Sequence, residues 1–321
     1  MKEYKPVWWL RNGHINTIAS ALFRKVEDVD YVRERLELPD GDFLDLDWSS
    51  RNGKSRKLLI VLHGLEGNSQ RPYVLGMVRH FNRNGWDAMG MNFRGCSGEL
   101  NRLPQSYHMS KIDDLETVLH TINERGDYDA IALVGFSLGG SVVLNYLGKR
   151  AAFLPPIVKV GIAISVPVDL VPSVAEIASL KNRLYVLRFL NTLNPKMEEK
   201  MRQHPDNMPH PPKMPRTLQE FDDWFTAPIH GFENAMDYWT KSAPLQYLPN
   251  INRPCLLINA RDDSFLSEGC FPEYMTQHNE YFHLLTPDYG GHCGFLGKTE
   301  TAGVLWSEER TLEFAQSNSG G

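Results

Sequence analysis

The sequence of 321 residues has only four cysteines, little net charge and no long apolar run. Its cysteines are far apart and form no C-x-x-C pair, which argues against a disulfide framework or a zinc site. Reduced thiols in a cytoplasmic protein are the simpler expectation. The scattered histidines His204, His210 and His230 lack the spacing of metal ligands. We therefore expect neither a metal nor a cofactor.

Membrane and nucleic-acid partners are also not expected. No stretch approaches the roughly 20 apolar residues of a membrane-spanning helix, and the N-terminus has no apolar signal core. No basic amphipathic helix predicts a stable membrane anchor. A net charge of −5 does not suggest the basic surface of a nucleic-acid-binding protein. Composition does not determine the oligomeric state.

Alternating strand and helix patterns predict a mostly parallel sheet that is covered by helices on both faces. Two stretches of alternating polar and apolar residues flank Pro39-Asp40-Gly41, which predicts a β-hairpin at about 31–48. Short apolar runs predict strands at 57–62, 86–91, 130–134, 158–166, 255–260 and 281–285. Helical spacing predicts helices at 72–84, 112–124 and 301–315, and another after residue 137.

The chain is expected to divide into a core and an inserted cap. Between 167 and 247, helical patches alternate with proline-rich stretches, which predicts a mainly helical cap over the carboxyl edge of the sheet. The core then comprises 31–166 and 248–316. Residues 1–30 are expected to form an irregular arm that packs through its tryptophans, or borders a substrate entrance. Residues 317–321 are expected to be a disordered tail.

A G-x-S-x-G motif at residues 135–139 lies between a predicted strand and a predicted helix. This context is typical of a nucleophile elbow, in which a strained turn exposes Ser137 at the carboxyl end of the strand. Glycine suits positions 135 and 139, where larger side chains would collide with the turn. A serine hydroxyl also needs a base and a group that orients the base.

Candidate partners of Ser137 follow later strands, in the order acid and then histidine. Asp262 and Asp263 come directly after a strand, and the pattern leaves the choice between them open. His292 lies in a glycine-framed loop after the next strand and is the predicted base. The backbone N–H groups of Leu138 and Leu65 are the predicted oxyanion donors.

Other polar residues are assigned structural or open roles. His63 is interpreted as a packing residue that hydrogen-bonds its loop. Arg94 is expected either to line the pocket or to be solvated in a glycine turn. Asp113 and Asp114 are expected on the solvated face of a helix. Cys293 lacks a separate histidine partner, which argues against a thiol nucleophile.

At these residues the chain resembles the α/β-hydrolase superfamily, and more narrowly the YheT-like esterases and the eukaryotic abhydrolase-domain lipases. The resemblance covers nearly the whole chain. Its matching segments are 9–17, 63–67, 92–98, the elbow, 262–263 and 291–295. It implies a serine hydrolase of short- to medium-chain carboxylic esters, with Ser137, Asp263 and His292 as the triad. It favours Asp263 over Asp262, although Ser264 replaces the proline usual after the acidic pair.

The resemblance leaves several activities open. The same acyl-enzyme serves acyl–alcohol transferases, lipases and hydrolases of thioesters, lactones or C–C bonds, and a binding module can retain the fold without catalysis. A small ester with an apolar acyl chain is the expected partner. Aromatic residues of the predicted cap suit an apolar acyl pocket, but a helical cap also needs them for packing. These residues are Tyr185, Phe189, Phe221, Trp224, Phe225, Phe232, Tyr238 and Trp239.

Overall fold

One eight-stranded sheet organises the fold. The computed structural model describes residues 4–50, 55–297, 299 and 301–320. The strands are β1 Val32–Glu37, β2 Phe43–Ser49, β3 Lys57–Leu62, β4 Asp87–Met91, β5 Ala130–Phe136, β6 Val158–Ile164, β7 Cys255–Ile258 and β8 Phe282–Leu285. Their order is β1-β2-β4-β3-β5-β6-β7-β8. The predicted hairpin is confirmed, since β1 pairs antiparallel with β2, and β2 pairs antiparallel with β4.

The strands from β3 to β8 pair in parallel, so their carboxyl ends meet at one edge of the sheet. The side chains of β3 alternate between two apolar clusters. Leu58, Ile60 and Leu62 belong to one cluster, and Leu59 and Val61 belong to the other. Burial on both faces is what a parallel sheet requires. The predicted fold class is confirmed.

Helices cover both faces of the sheet and fill the long insertion between β6 and β7. They are α1 Gly13–Phe23, α2 Pro72–Asn82, α3 Asp113–Arg125, α4 Leu138–Lys149, α5 Leu170–Ala178, α6 Arg183–Gln203, α7 Leu218–Phe221, α8 Ala227–His230, α9 Ala235–Ser242, α10 Met275–His278 and α11 Trp306–Asn318. The predicted cap segment, 167–247, contains α5 to α9 and a π-helical turn at Asp222–Thr226. We keep the division into core and cap as a proposal.

The N-terminal segment differs from its prediction. It is not irregular, because α1 occupies 13–23 and begins where Asn12 Oδ1 accepts the N–H of Ile15 at 3.1 Å. The tryptophans do not pack: Trp8 is 81% exposed and Trp9 is 48% exposed. Small or polar residues instead form the buried side of α1, among them Asn16. A buried face without large apolar residues gives no helical signal in the sequence. Residues 1–3 of the predicted arm lie outside the described residues.

The predicted tail is wrong for its first residues, since Ser317 and Asn318 form the last turn of α11 and Ser319 is buried. Gly321 lies outside the described residues. Among the described residues, no helix is long and apolar enough to cross a bilayer.

Candidate active site

Ser137 occupies a strained turn between β5 and α4. Its backbone has φ 52° and ψ −118°, a region that non-glycine residues rarely adopt. A Cβ atom at Gly135 would lie 2.3 Å from the carbonyl oxygen of Gly139. A Cβ atom at Gly139 would lie 2.4 Å from the carbonyl oxygen of Leu62. The turn therefore needs glycine at both positions, as expected for an elbow.

The imidazole of His292 is held by Asp263. His292 Nδ1 lies 2.8 Å from Asp263 Oδ2, and Asp263 Oδ1 accepts the N–H of Phe265 at 3.0 Å. The Asp263 side chain is fully buried and the His292 side chain is 13% exposed. The Phe265 ring packs against the imidazole, with ring centroids 4.4 Å apart. A carboxylate at Nδ1 selects the tautomer that leaves the lone pair on Nε2.

Ser137 and His292 line the same two cavities, together with Leu65 and Phe265. No hydrogen bond joins Ser137 Oγ to the imidazole among the described residues. Catalytic hydrogen bonds are often long before substrate binds and tighten in the substrate complex. The structure thus brings the predicted nucleophile and base to one cavity wall.

Asp262 contacts the histidine loop but not the imidazole. Its Oδ1 accepts the N–H of Gly291 at 2.8 Å, and its buried Oδ2 has no hydrogen-bond partner among the described residues. Burial raises the pKa of the Asp262 carboxyl to about 6. Of the two acids, Asp263 forms a hydrogen bond with the His292 imidazole, and Asp262 accepts one from the backbone of Gly291.

The two predicted oxyanion donors face no competing acceptor. The backbone N–H groups of Leu65 and Leu138 have no acceptor within the described parts of the chain, whereas the N–H groups on both sides of Leu65 are satisfied. Gly64 donates its N–H to the Tyr73 hydroxyl at 3.0 Å, and Glu66 donates its N–H to the Tyr107 hydroxyl at 2.9 Å. The loop after β3 is therefore fixed on both sides of a free N–H group.

Sequence reasoning missed the polar network around Glu66. This residue follows Leu65 at φ 54°, and its carboxylate accepts bonds from Lys196 Nζ and from the Tyr107 hydroxyl. The Arg71 guanidinium donates to the Glu66 carbonyl oxygen at 2.8 Å. Glu66 lies within a segment that carries the family resemblance, but the distance of Lys196 along the chain concealed their pairing.

The helix α1 holds the histidine loop from the other side, which the sequence did not predict. The N–H of His292 donates to Thr17 Oγ1 at 2.8 Å, and the N–H of Leu296 donates to Asn16 Oδ1 at 3.1 Å. A Cβ atom at Gly291 would lie 2.2 Å from the carbonyl oxygen of Gly13. Close backbone approach explains why glycine precedes the histidine.

His63 is a buried packing residue in the structure. Its Nε2 accepts the N–H of Phe93 at 3.1 Å, so its Nδ1–H donates to the carbonyl oxygen of Gly64 at 2.8 Å. Burial lowers the pKa of the His63 imidazole to about 3. With both ring nitrogens used, His63 has no lone pair to offer a substrate.

Arg94 lines the cavity that contains Ser137, which is one of the two roles left open for it, whereas Asp114 departs from its predicted role. The Arg94 guanidinium is buried, not solvated, and it bonds Asp114 at 2.6 and 2.8 Å, Asp40 at 2.7 Å and Asp42 at 3.0 Å. Asp114 is likewise buried, so the prediction of a solvated position is wrong for it. Helical spacing in the sequence places Asp114 on the polar side of its helix. It does not reveal that a buried cation from another loop contacts this carboxylate.

Cys293 is partly buried. Its backbone N–H donates to Ser165 Oγ at 2.9 Å, and burial raises the pKa of the thiol well above its usual value. A thiol with a raised pKa is a weak nucleophile. Among the described residues, no group of His, Cys, Asp and Glu has an arrangement that would hold a metal ion.

Two cavities meet at Ser137 and His292. The first runs beneath the insertion and is called the cap cavity. Its apolar wall includes Leu170, Ile177, Leu193, Met197, Phe221 and Trp239. The second runs beside α1 and is called the arm cavity. Its wall includes Thr17, Arg71, Tyr73, Tyr185, Arg188 and Thr192.

The aromatic residues of the insertion divide between the two roles left open above. Phe225 is fully buried in an apolar cluster of the insertion. Phe221, Tyr238 and Trp239 line the cap cavity, and Tyr185 lines the arm cavity. Packing and cavity lining are therefore both present.

Known proteins resemble this chain over most of its length. It is 34% identical over 313 residues to "Putative esterase YheT" of Escherichia coli (strain K12), covering 96% of this chain and 91% of that protein. It is 28% identical over 308 residues to Phospholipase ABHD3 of Homo sapiens, covering 92% of this chain and 74% of that protein. It is 28% identical over 276 residues to Monoacylglycerol lipase of Saccharomyces cerevisiae, covering 81% of this chain and 59% of that protein.

Solved structures share the fold. The Pyrococcus furiosus esterase Pf2001 aligns over 100% of both chains with a TM-score of 0.61 and 18% identity. Est1E of Butyrivibrio proteoclasticus with bound ferulic acid aligns over 90% of this chain and 98% of that chain, with a TM-score of 0.55 and 14% identity. A family model described as the alpha/beta hydrolase fold matches residues 57–299. Together with the similarity to the E. coli protein, this match shows that the chain belongs to the α/β-hydrolase family.

Proposed function

We propose that this chain hydrolyses carboxylic esters with short- to medium-length acyl chains through an acyl-enzyme on Ser137. The predicted enzyme class, a carboxylic-ester hydrolase, is confirmed by relatives named esterase, phospholipase and monoacylglycerol lipase. One observation carries the finer proposal: His292 Nδ1 lies 2.8 Å from Asp263 Oδ2, at the wall of a cavity that Ser137 also lines.

In the first half of the reaction, His292 Nε2 takes the proton of Ser137 while Oγ attacks the carbonyl carbon of the ester. The carbonyl electron pair moves to oxygen, and the N–H groups of Leu65 and Leu138 stabilise this oxyanion. The bond to the alcohol oxygen then breaks, and His292 gives the proton to the leaving alcohol. Asp263 stabilises the imidazolium that forms between these steps.

In the second half, water attacks the acyl-enzyme and transfers its proton to His292. The tetrahedral intermediate collapses, the acid leaves, and the proton returns to Ser137 Oγ. The free N–H groups serve both halves, because the carbonyl oxygen occupies the same position each time. Every step uses groups of this chain and of water.

The two cavities suggest how an ester lies in the site. The cap cavity is lined mainly by aliphatic and aromatic side chains and suits the acyl chain. The arm cavity contains the Arg71 and Arg188 guanidinium groups and suits a more polar alcohol portion. An ester carbonyl at Ser137 would then place its two halves on opposite sides of the nucleophile.

A series of p-nitrophenyl esters of increasing acyl length tests this proposal. We expect the highest kcat/KM at short to medium length, and labelling of Ser137 by a fluorophosphonate. Ser137→Ala should lower kcat by about a thousandfold or more, whereas the exposed Ser317→Ala control should match the wild type. A Ser137→Ala variant that keeps more than about a tenth of wild-type kcat would contradict the assignment.

The same assay separates the alternatives. With added ethanol, ethyl ester in excess of free acid would assign the chain to acyl transfer instead of hydrolysis. Absence of labelling and of turnover across the series would assign it to a binding module. Turnover of thioesters or lactones above that of oxygen esters would change the substrate class while leaving the nucleophile in place.

A further inference from the structure

We propose that the enzyme docks reversibly on an anionic lipid surface through a face beside the arm cavity, here called the mouth face. This face consists of the exposed apolar side chains of residues 7–23 and 180–187. Its members are Val7, Trp8, Trp9, Ile15, Ile18, Leu22, Phe23, Leu180, Leu184 and Leu187. Docking does not depend on catalysis, whereas its consequence, delivery of lipid esters to Ser137, rests on the proposed function.

The first argument is the concentration of exposed apolar side chains. Ten of the fifteen large apolar side chains that are exposed among the described residues belong to the mouth face. Leu180 is 88% exposed, Trp8 is 81% exposed, and Leu184 and Phe23 are each 78% exposed. Single exposed apolar residues are ordinary, but a concentration of them marks an interaction site.

The second argument is the position of this face at the cavity. One side of α1 presents Ile15, Ile18 and Leu22 to solvent, while Thr17 and Ala21 line the arm cavity. The helix α6 behaves in the same way. Its Leu184 and Leu187 are exposed, while Tyr185, Arg188 and Phe189 line the arm cavity.

The two helices also contact one another at this cavity. The hydroxyl of Tyr185 lies 3.3 Å from His14 Nδ1, and the two rings stack with centroids 5.9 Å apart. Both sources of exposed apolar surface therefore border one opening toward Ser137. A lipid that leaves a docked surface would enter beside the nucleophile.

The third argument is charge. Residues 4–26 contain four Lys or Arg and no carboxylate, and residues 177–197 contain the same number and also no carboxylate. Arg24, Lys181 and Lys196 of these segments pair with Glu308, Glu176 and Glu66, so they add no unpaired charge. Arg11, Arg183 and Arg188 form no ion pair within the described parts of the chain.

Apolar side chains with unpaired cations fit an anionic lipid interface better than a second copy of this chain. Headgroups attract the cations, and the interfacial region accepts tryptophan and aliphatic side chains. In a symmetric dimer the same face would meet itself, which would bring cations together. Among the described residues no helix could cross a bilayer, and a face of this kind gives reversible attachment.

Vesicle sedimentation tests docking with the Ser137→Ala variant, which binds without consuming lipid. We compare vesicles of phosphatidylcholine alone with vesicles that also contain phosphatidylglycerol. The mouth variant combines Leu22→Ser, Phe23→Ser and Leu184→Ser. The matched control combines Phe153→Ser, Met236→Ser and Tyr274→Ser, which are also exposed apolar positions but lie outside the mouth face.

Ser137→Ala should bind the anionic vesicles, less at high salt and less to phosphatidylcholine alone. The mouth variant should lower the partition coefficient by about tenfold or more, and the control variant should leave it unchanged. Far-UV circular dichroism confirms that both variants fold. No binding by Ser137→Ala, or equal loss in the control variant, would overturn docking. A dimer that only the mouth variant dissociates would assign the face to a second copy and overturn it too.

Hydrolysis of a soluble p-nitrophenyl ester keeps the two proposals apart. With Ser137 restored, the mouth variant should hydrolyse this soluble ester at the wild-type rate, because its substitutions lie outside the cap and arm cavities. Wild-type hydrolysis without vesicle binding would overturn docking alone. Vesicle binding without any ester hydrolysis would overturn the proposed function alone.

Discussion

Lys196 Nζ lies 2.9 Å from Glu66 Oε2, and this ion pair joins α6 of the insertion to the loop that follows β3. Glu66 directly follows Leu65, whose N–H is a proposed oxyanion donor. The Lys196 side chain is 27% exposed and the Glu66 side chain is 5% exposed, so water screens the pair only in part. In the proposed mechanism, the insertion thereby helps to position an N–H group that stabilises the transition state.

Removing this ion pair should lower turnover more than substrate binding. Lys196→Met leaves the buried Glu66 carboxylate with the Tyr107 hydroxyl as its remaining side-chain partner, which should shift the Leu65 N–H. We expect kcat to fall about tenfold with little change in KM, since removal of a whole oxyanion donor costs a hundredfold or more. Steady-state kinetics on a soluble ester measure this split.

Two further variants test whether the charge of Lys196 causes this loss of turnover. Lys196→Arg should recover most of the turnover, because it keeps a cation within reach of Glu66. Lys213→Met removes a more exposed pair on the insertion, with Glu220 at 3.3 Å, and should have no effect. Equal losses of kcat in Lys196→Met and Lys213→Met would show that Lys196 has no positioning role.

Replacing Asp263 by asparagine should lower kcat far more than replacing Asp262 by asparagine. Asp263→Asn presents an amide to His292 Nδ1 and favours the wrong tautomer, so kcat should fall by about a thousandfold or more. Asp262→Asn keeps an oxygen acceptor for the N–H of Gly291 and should cost less than about tenfold. Parallel kinetics on one ester rank the two variants. The reverse ranking would make Asp262 the triad acid.

Asp262 should also make stability depend on pH. Its pKa rises from an ordinary value near 4 to about 6 on folding, because burial disfavours the carboxylate. The stabilising contribution of the protonated acid is therefore fully present below about pH 4 and is lost as pH rises through about 6. Asp262→Asn resembles the protonated acid at every pH and lacks this loss.

Thermal unfolding between pH 4 and pH 7 measures the difference. We expect the Tm of Asp262→Asn to match that of the wild type near pH 4 and to exceed it near pH 7. Asp263→Asn, which alters the adjacent acid, is the comparison for general effects of replacing charge. A difference in Tm between the wild type and Asp262→Asn that stays constant across this pH range would show that the pKa of Asp262 does not change on folding.

Thr17 should be needed for catalysis although it lies far from Ser137 in the sequence. Thr17→Val removes the hydroxyl that accepts the His292 backbone N–H, and leaves a partly buried donor without a partner. We expect kcat to fall about tenfold through displacement of the imidazole. Thr17→Ser restores the acceptor and should restore turnover. Loss of turnover in Thr17→Ser equal to that in Thr17→Val would point to the methyl group instead.

The elements predicted well from the sequence are those that depend on residues close together in the chain. Glycine at 135 and 139 is required by the turn itself, so the strand, elbow and helix around Ser137 could be placed from a few residues. The alternation of β1 and β2 around a turn is equally local.

The elements that escaped prediction depend on contacts between distant segments. The helix α1 presents its large apolar residues to solvent, so its pattern did not mark a buried face. Asp114 looked solvated because its partner Arg94 belongs to another loop. Lys196 and Glu66 are 130 residues apart, and nothing near either residue indicates the pair. Sequence reasoning named the proposed reacting groups but not the side chains that hold them.

The bond between Thr17 and the His292 backbone spans 275 positions of the polypeptide. During synthesis on the ribosome, α1 and the elbow are made before the histidine loop, and that loop packs against α1 once it has been made. An unfinished chain therefore has an exposed serine turn but no base to activate it. The proposed triad is complete only once the ribosome has passed residue 292.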